Sequence, residues 1–83
     1  MWYFYVLTSE VDNEHYYGST NDLQRRIRHH NDGKVESTKS RRPFKLIYYE
    51  AFLSQELARR REHTVKSSRG TRTALLKRLN IGV

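Results

Sequence analysis

Tyr5, Tyr16, Arg26 and Glu62 are the residue types that can hydrolyse a phosphodiester together. Arginine offers paired donors to phosphate oxygens. A lone carboxylate can hold one hard divalent cation. A phenol, ordinarily titrating near pH ~10, can act as a base only beside such cations. The tyrosines lie in two short aromatic strings, Tyr3-Phe4-Tyr5 and Tyr16-Tyr17-Gly18, and Glu62 stands isolated among Arg59, Arg60, Arg61 and Lys66. No other grouping in the chain has comparable chemical content, so the question is whether folding brings these four together.

Helical spacing answers for two of them. Leu23, Ile27 and His30 recur at the spacing of one helix face, and Arg26 shares or borders that face. Arginine is almost never buried without a partner, so Arg26 must reach a cleft, a carboxylate or a bound anion. Ala58, Glu62 and Val65 repeat the pattern in a second helix. An ion pair from Glu62 to Lys66 or across to Arg26 is the ordinary reading of such a carboxylate. Two inward polar residues on two helices facing one aromatic sheet point instead to a site. Tyr5 and Tyr16 fall on adjacent strands, where their hydroxyls can share one mouth, whereas Tyr3, Tyr48 and Tyr49 are expected in the core. His15, His29, His30 and His63 have no zinc-ligand spacing.

The elements that must position these residues are legible in outline. Residues 2–8 read as a strand buried on both faces, Asp12-Asn13-Glu14 as a turn, and 15–19 as the returning strand. Gly18 marks a close backbone approach or a bulge. Thr20 or Asn21 caps a helix over 22–31 that ends at Gly33, and 34–42 reads as an exposed polar loop. Pro43 opens a strand to about Phe52, Ser54 starts a helix over 55–67, and residues 67–70 break the chain before a last helix opened by Thr71 or Thr73, running to about Leu79. The expected fold is α+β: a three-stranded antiparallel sheet flanked by helices, in the order β-β-α-β-α-α.

The charge is segregated. Residues 1–24 have no Lys or Arg but hold Glu10, Asp12, Glu14 and Asp22, while all 16 basic residues of this 83-residue, +7 chain follow. Such a surface suits a polyanion, with nucleic acid the leading candidate. Arg25, Arg28, Lys34, Lys39, Arg41, Arg42, Arg59, Arg60, Lys66 and Arg69 are the expected phosphate contacts, with no base-reading pattern among them. The length suits one domain spanning 1–83, and the absence of cysteine removes disulfides and thiolate metal sites. No export signal or membrane span is read, so a cytoplasmic monomer or weak homodimer is expected.

In order along nearly the whole chain, the quoted segments resemble the GIY-YIG nuclease family, most closely its small bacterial members. The first family motif corresponds to Tyr3-Phe4-Tyr5 and the second to Tyr16-Tyr17-Gly18. Further matches are Ser19 through Leu23, Arg25-Arg26, His30 through Gly33, Arg42-Pro43, Tyr48-Tyr49-Glu50 and Ala58 through Glu62 leading to Lys66. The resemblance implies a DNA endonuclease using one divalent metal, Mg2+ or Mn2+, with possible service in repair or recombination. It makes Tyr5 and Tyr16 the motif tyrosines, Arg26 the catalytic arginine, His30 a companion one turn later and Glu62 the metal ligand. Tyr3 and Tyr17 replace the usual glycine and aliphatic residue. The family's later asparagine has no counterpart in Thr73-Ala74-Leu75-Leu76, and Asn80 lies too far along. That gap keeps a second reading open, a catalytically inactive nucleic-acid-binding module of the same fold. A purely structural or protein-interaction domain leaves the arginine clustering unexplained.

Overall fold

The uncharged, aromatic and β-branched run Trp2-Tyr-Phe-Tyr-Val-Leu forms β1 (Trp2–Ser9), the central strand of the sheet. The computed structural model describes residues 1–79, and Asn80 lies outside the described residues. β2 (His15–Thr20) and β3 (Phe44–Phe52) flank β1, both antiparallel to it. The β1–β2 turn places Asn13 at φ 59, and the Asp12 carboxylate accepts the Glu14 amide at 2.9 Å. Asparagine tolerates this left-handed conformation better than most side chains.

Because side chains alternate across a sheet, β1 feeds two cores. Phe4 and Val6 pack against Val65 and Leu75, from α2 (Gln55–Ser67) and α3 (Arg69–Arg78). Tyr5 and Leu7 pack on the opposite face with Phe44, Tyr16, Leu23 and Ile27, the last two from α1 (Leu23–Asn31). Element order and strand arrangement match expectation, as does the hydrophobic placement of Ala58 and Val65, both fully buried.

Local expectations need four corrections. Asp22, not Thr20 or Asn21, caps α1, its carboxylate accepting the Arg25 amide at 3.1 Å. Residues 34–42 are not simply an exposed loop: Lys39–Arg41 form a 3-10 turn, and Thr38 is fully buried. Neither Thr71 nor Thr73 opens α3, because Ser68 caps it by accepting the Thr71 amide and the helix runs through Gly70. Tyr49 is half-exposed rather than core, since β3 is an edge strand and α1 covers only part of its face.

Gly33 does end α1 as read. At φ +76 it lets its own amide reach the His30 carbonyl and that of Lys34 reach His29, the paired bonds of a Schellman terminus. No helix among the described residues is long and apolar enough to cross a membrane.

Candidate active site

The site forms where one face of the hairpin meets α1 and the neighbouring strand meets α2. Tyr5 pairs with Gly18 and Leu7 with Tyr16, so both tyrosines share the α1 face, their ring centroids 6.3 Å apart. Gly18 marks a close approach rather than a bulge: a Cβ there would stand 2.5 Å from the Tyr5 hydroxyl. The absence of a side chain is what lets the Tyr5 ring cross β2 and reach α1.

There Tyr5 enters a buried chain of hydrogen bonds. The Arg26 Nε–H donates to its hydroxyl at 3.4 Å, and that hydroxyl lies 3.1 Å from His30 Nε2. His30 Nδ1 lies 2.8 Å from the Thr38 hydroxyl, which itself donates to the Val35 carbonyl at 3.3 Å. Since Thr38 spends its proton on Val35, it accepts from Nδ1–H, which leaves Nε2 free to accept the Tyr5 proton. His30 and Thr38 are fully buried and Tyr5 is 1% exposed.

Burial dominates the protonation of this group. It pushes the Tyr5 phenol up to about 12, overriding the opposing hydrogen bond from Arg26. It pushes the His30 imidazole down to about 4, with the nearby Arg26 charge adding to the effect. Tyrosine therefore keeps its proton and histidine stays neutral. Arg26 is held in its charged form more firmly than usual, first by its hydrogen bond to Tyr5, with Tyr16 contributing.

Glu62 faces the hairpin from α2, as its helical spacing predicts, with 22% of its side chain exposed. Ser19, the residue after Gly18, points to the opposite face of β2 and donates to Glu62 Oε1 at 2.7 Å. The other carboxylate oxygen takes the Lys66 ammonium at 2.6 Å, the ordinary helical pairing, and no pair to Arg26 forms. Lys66 Nζ also stands 5.9 Å from the Tyr16 ring centroid. One cation thus sits between the Glu62 carboxylate and the second tyrosine. Lys66, expected among the general phosphate contacts, is drawn into the site itself.

The other basic residues divide. Arg25, Arg28, Lys34, Lys39, Arg42, Arg59, Arg60 and Arg69 are exposed, although Arg60 is paired to Glu56 at 2.8 Å. Arg41 is removed from the expected phosphate contacts. Its Nε bonds Asp12 at 2.9 Å, holding that carboxyl below its usual range, and its guanidinium covers the Phe44 ring at 5.5 Å. It fastens the hairpin turn to the 3-10 turn instead. Arg61 is likewise structural, doubly bonded to Glu50 at 3.0 and 3.1 Å.

Thr38 and Ser19 were missed by the sequence reading. Strand alternation from Gly18 could have placed Ser19 beneath α2. Thr38 has no such signal, because it lies in an irregular polar stretch and only the tertiary packing buries it.

The donor set suits a hard cation. Glu62 keeps a partly exposed carboxylate, one oxygen bonded to the Lys66 ammonium and the other held by the Ser19 hydroxyl. Among the described residues no three His, Cys, Asp or Glu gather into a cluster. Glu62 would be the one protein carboxylate to hold a divalent ion here, a sparse ligand set of the kind magnesium accepts.

The family model for the GIY-YIG catalytic domain matches residues 1–78. The UPF0213 protein YazA of Bacillus subtilis is 45% identical over 65 residues, covering 77% of this chain and 65% of that protein. The UPF0213 protein of Lactiplantibacillus plantarum is 42% identical over 82 residues, covering 95% of this chain and 78% of that one. Matches to the Bacillus pumilus relative and YazA span 66% and 65% of their lengths, slightly under two thirds. The solution NMR structure of the UPF0213 protein BH0048 from Bacillus halodurans has a TM-score of 0.58 at 40% identity, covering 93% of this chain and 84% of that one. Such agreement in fold and sequence across nearly the whole chain means that the protein belongs to the GIY-YIG family, whose catalytic domain is that of endonucleases.

Proposed function

We propose that this protein is a metal-dependent endonuclease that hydrolyses DNA phosphodiester bonds with low sequence specificity, on structured or single-stranded DNA. One observation carries the reading: Arg26 from α1 and Glu62 from α2 both reach the tyrosine-bearing hairpin, Arg26 through the Tyr5 hydroxyl and Glu62 through Ser19, with Arg26 steadied in its charged form beside both tyrosines.

The two tyrosines then divide the work. Burial raises the Tyr5 phenol and depresses the His30 imidazole, so at neutral pH the proton stays on Tyr5 and the pair serves first as an anchor. Tyr5 also aims Arg26, whose Nε it accepts, leaving the terminal guanidinium nitrogens to meet phosphate oxygens as charge builds in the transition state. Tyr16 is only half-buried, which favours it over the sealed Tyr5 as the tyrosine that takes a proton from the attacking water. A magnesium or manganese ion held by Glu62 would polarise the scissile phosphate and stabilise the leaving oxygen. Lys66, paired to Glu62 and next to the Tyr16 ring, would offer its ammonium to the same phosphate.

Incubation of the purified chain with nicked, branched and single-stranded DNA, with and without magnesium or manganese, tests this directly. Metal-dependent cleavage supports the nuclease. A salt-sensitive mobility shift without cleavage identifies the inactive binding module, and neither result leaves a structural domain.

A further inference from the structure

Beside the candidate active site, a half-open cavity of about 280 Å³ lies between the N-terminal ends of α1 and α2. It opens onto the site through Arg26, the Tyr5 partner, and through Ser19, the Glu62 partner. Its remaining wall includes Trp2, Arg25, Gln55 and Arg59. Asp22 also lines it, but that carboxylate is engaged in capping α1.

The charge pattern calls for an occupant. Arg25, Arg26 and Arg59 all line one cavity, and none forms an ion pair among the described residues. Arg28, Arg42, Arg69, Arg72 and Arg78 also form no ion pair among the described residues, but only Arg25, Arg26 and Arg59 converge on this cavity. Three guanidinium charges outnumber the single Asp22 carboxylate on this wall, and an anion between them offsets the excess. A bare anion would need only the guanidinium groups. The wall of this cavity also includes the Trp2 indole and the Gln55 carboxamide, side chains of the kinds that stack on and hydrogen-bond an unpaired base. Its volume falls just below the roughly 300 Å³ where pockets for drug-sized ligands begin, which suits one nucleotide and is too small for a base pair.

We propose that this cavity is a subsite for one unpaired nucleotide adjoining the scissile phosphate. Arg25 and Arg59 hold its phosphate, Trp2 stacks on its base, and Gln55 meets the base edge. As a statement about substrate it rests on the nuclease reading; as a statement about binding it stands without it. The subsite would fix which side of the cut must be single-stranded.

The test is a metal-free titration of the whole chain with deoxyadenosine monophosphate, deoxyadenosine and inorganic phosphate, followed by NMR of backbone and indole N–H signals. The expected result is saturable shifts at Trp2 and Gln55, with the nucleotide binding about tenfold tighter than either fragment. The Arg25→Ala/Arg59→Ala double variant, whose changes lie on exposed side chains, should lose about tenfold or more in nucleotide affinity. Trp2→Phe should retain most of the binding and Trp2→Leu should lose it. Equal affinity for phosphate and nucleotide, shifts elsewhere, or an unaffected double variant would each overturn the subsite. Glu62→Gln separates the two readings, because it should still bind the nucleotide. Nucleotide binding in a chain that cuts no DNA leaves the subsite standing and removes the nuclease. Cleavage by a chain that binds no nucleotide does the reverse.

Discussion

The two halves of the candidate site are built on opposite physical terms. On the α1 side, Tyr5, His30 and Thr38 are sealed from solvent, every polar atom has a partner, and protonation states are locked by burial. On the α2 side, Glu62 and Lys66 remain 22% and 48% exposed in their side chains, and their bond is one that solvent and ions can exchange. A buried network is rigid because breaking any link strands a polar group in a dry place. An exposed ion pair is worth little and is readily replaced. On the proposed reading, the first half supplies geometry and the second ligand exchange. Arg26 and Tyr16 stand at the join.

Several substitutions probe that division. Arg26→Ala removes the donors at the join and should lower the cleavage rate by about 10²–10³-fold, with little change in unfolding free energy, measured by single-turnover assays and urea titration. An equal loss of stability would move Arg26 from chemistry to structure. Gly18→Ala attacks the closed half by driving a Cβ to 2.5 Å from the Tyr5 hydroxyl. Overpacking of this kind should cost about 1–3 kcal/mol and disturb the Tyr5–His30 contact, readable in urea unfolding and in the His30 ring signals.

The closed half also has a pH signature. The folded-state value of His30 is depressed from 6.5 to about 4, so the unfolded chain binds the extra proton first as pH falls. Stability from this group is therefore complete above about pH 6.5 and disappears as pH drops toward 4. The loss should be on the order of 3 kcal/mol, and His30→Gln should flatten that part of the stability–pH curve relative to wild type. Thr38→Val is the gentler form of the same attack. It leaves Nδ1–H without an acceptor at a cost of about 1–2 kcal/mol. Thr38→Ser should restore most of that, whereas a loss of side-chain packing alone would not be rescued by the hydroxyl.

These two halves were unequally legible in the sequence. Helical spacing was enough to turn Arg26 and Glu62 inward, because each shares a stripe with residues that the core requires, His30 and Ile27 in one case and Ala58 and Val65 in the other. Adjacent strands offered Tyr5 and Tyr16 a shared mouth, and the register of β1 on β2 is what puts them on one face. The burial of Thr38 was not legible, since a polar residue in an irregular segment has no period to betray it. Arg41 misled for a related reason: a basic residue in a basic run reads as solvated until a distant carboxylate, here Asp12 across the hairpin turn, is seen to claim it. The start of α3 was hidden by Gly70, which reads as a breaker but is carried by the Ser68 cap and by Arg72 bonding back to the carbonyls of Val65 and Lys66.

The central claim is that one exchangeable carboxylate on α2 supports phosphodiester hydrolysis arranged by a fixed network on α1. Glu62→Gln keeps the side chain's size and its bond from Ser19 but weakens its hold on any cation. Single-turnover cleavage of single-stranded and branched DNA in magnesium, wild type against Glu62→Gln, measures that claim directly. The account predicts a loss of about 10³-fold or more with the thermal midpoint essentially unchanged; a folded Glu62→Gln variant that cuts as fast as wild type would contradict it.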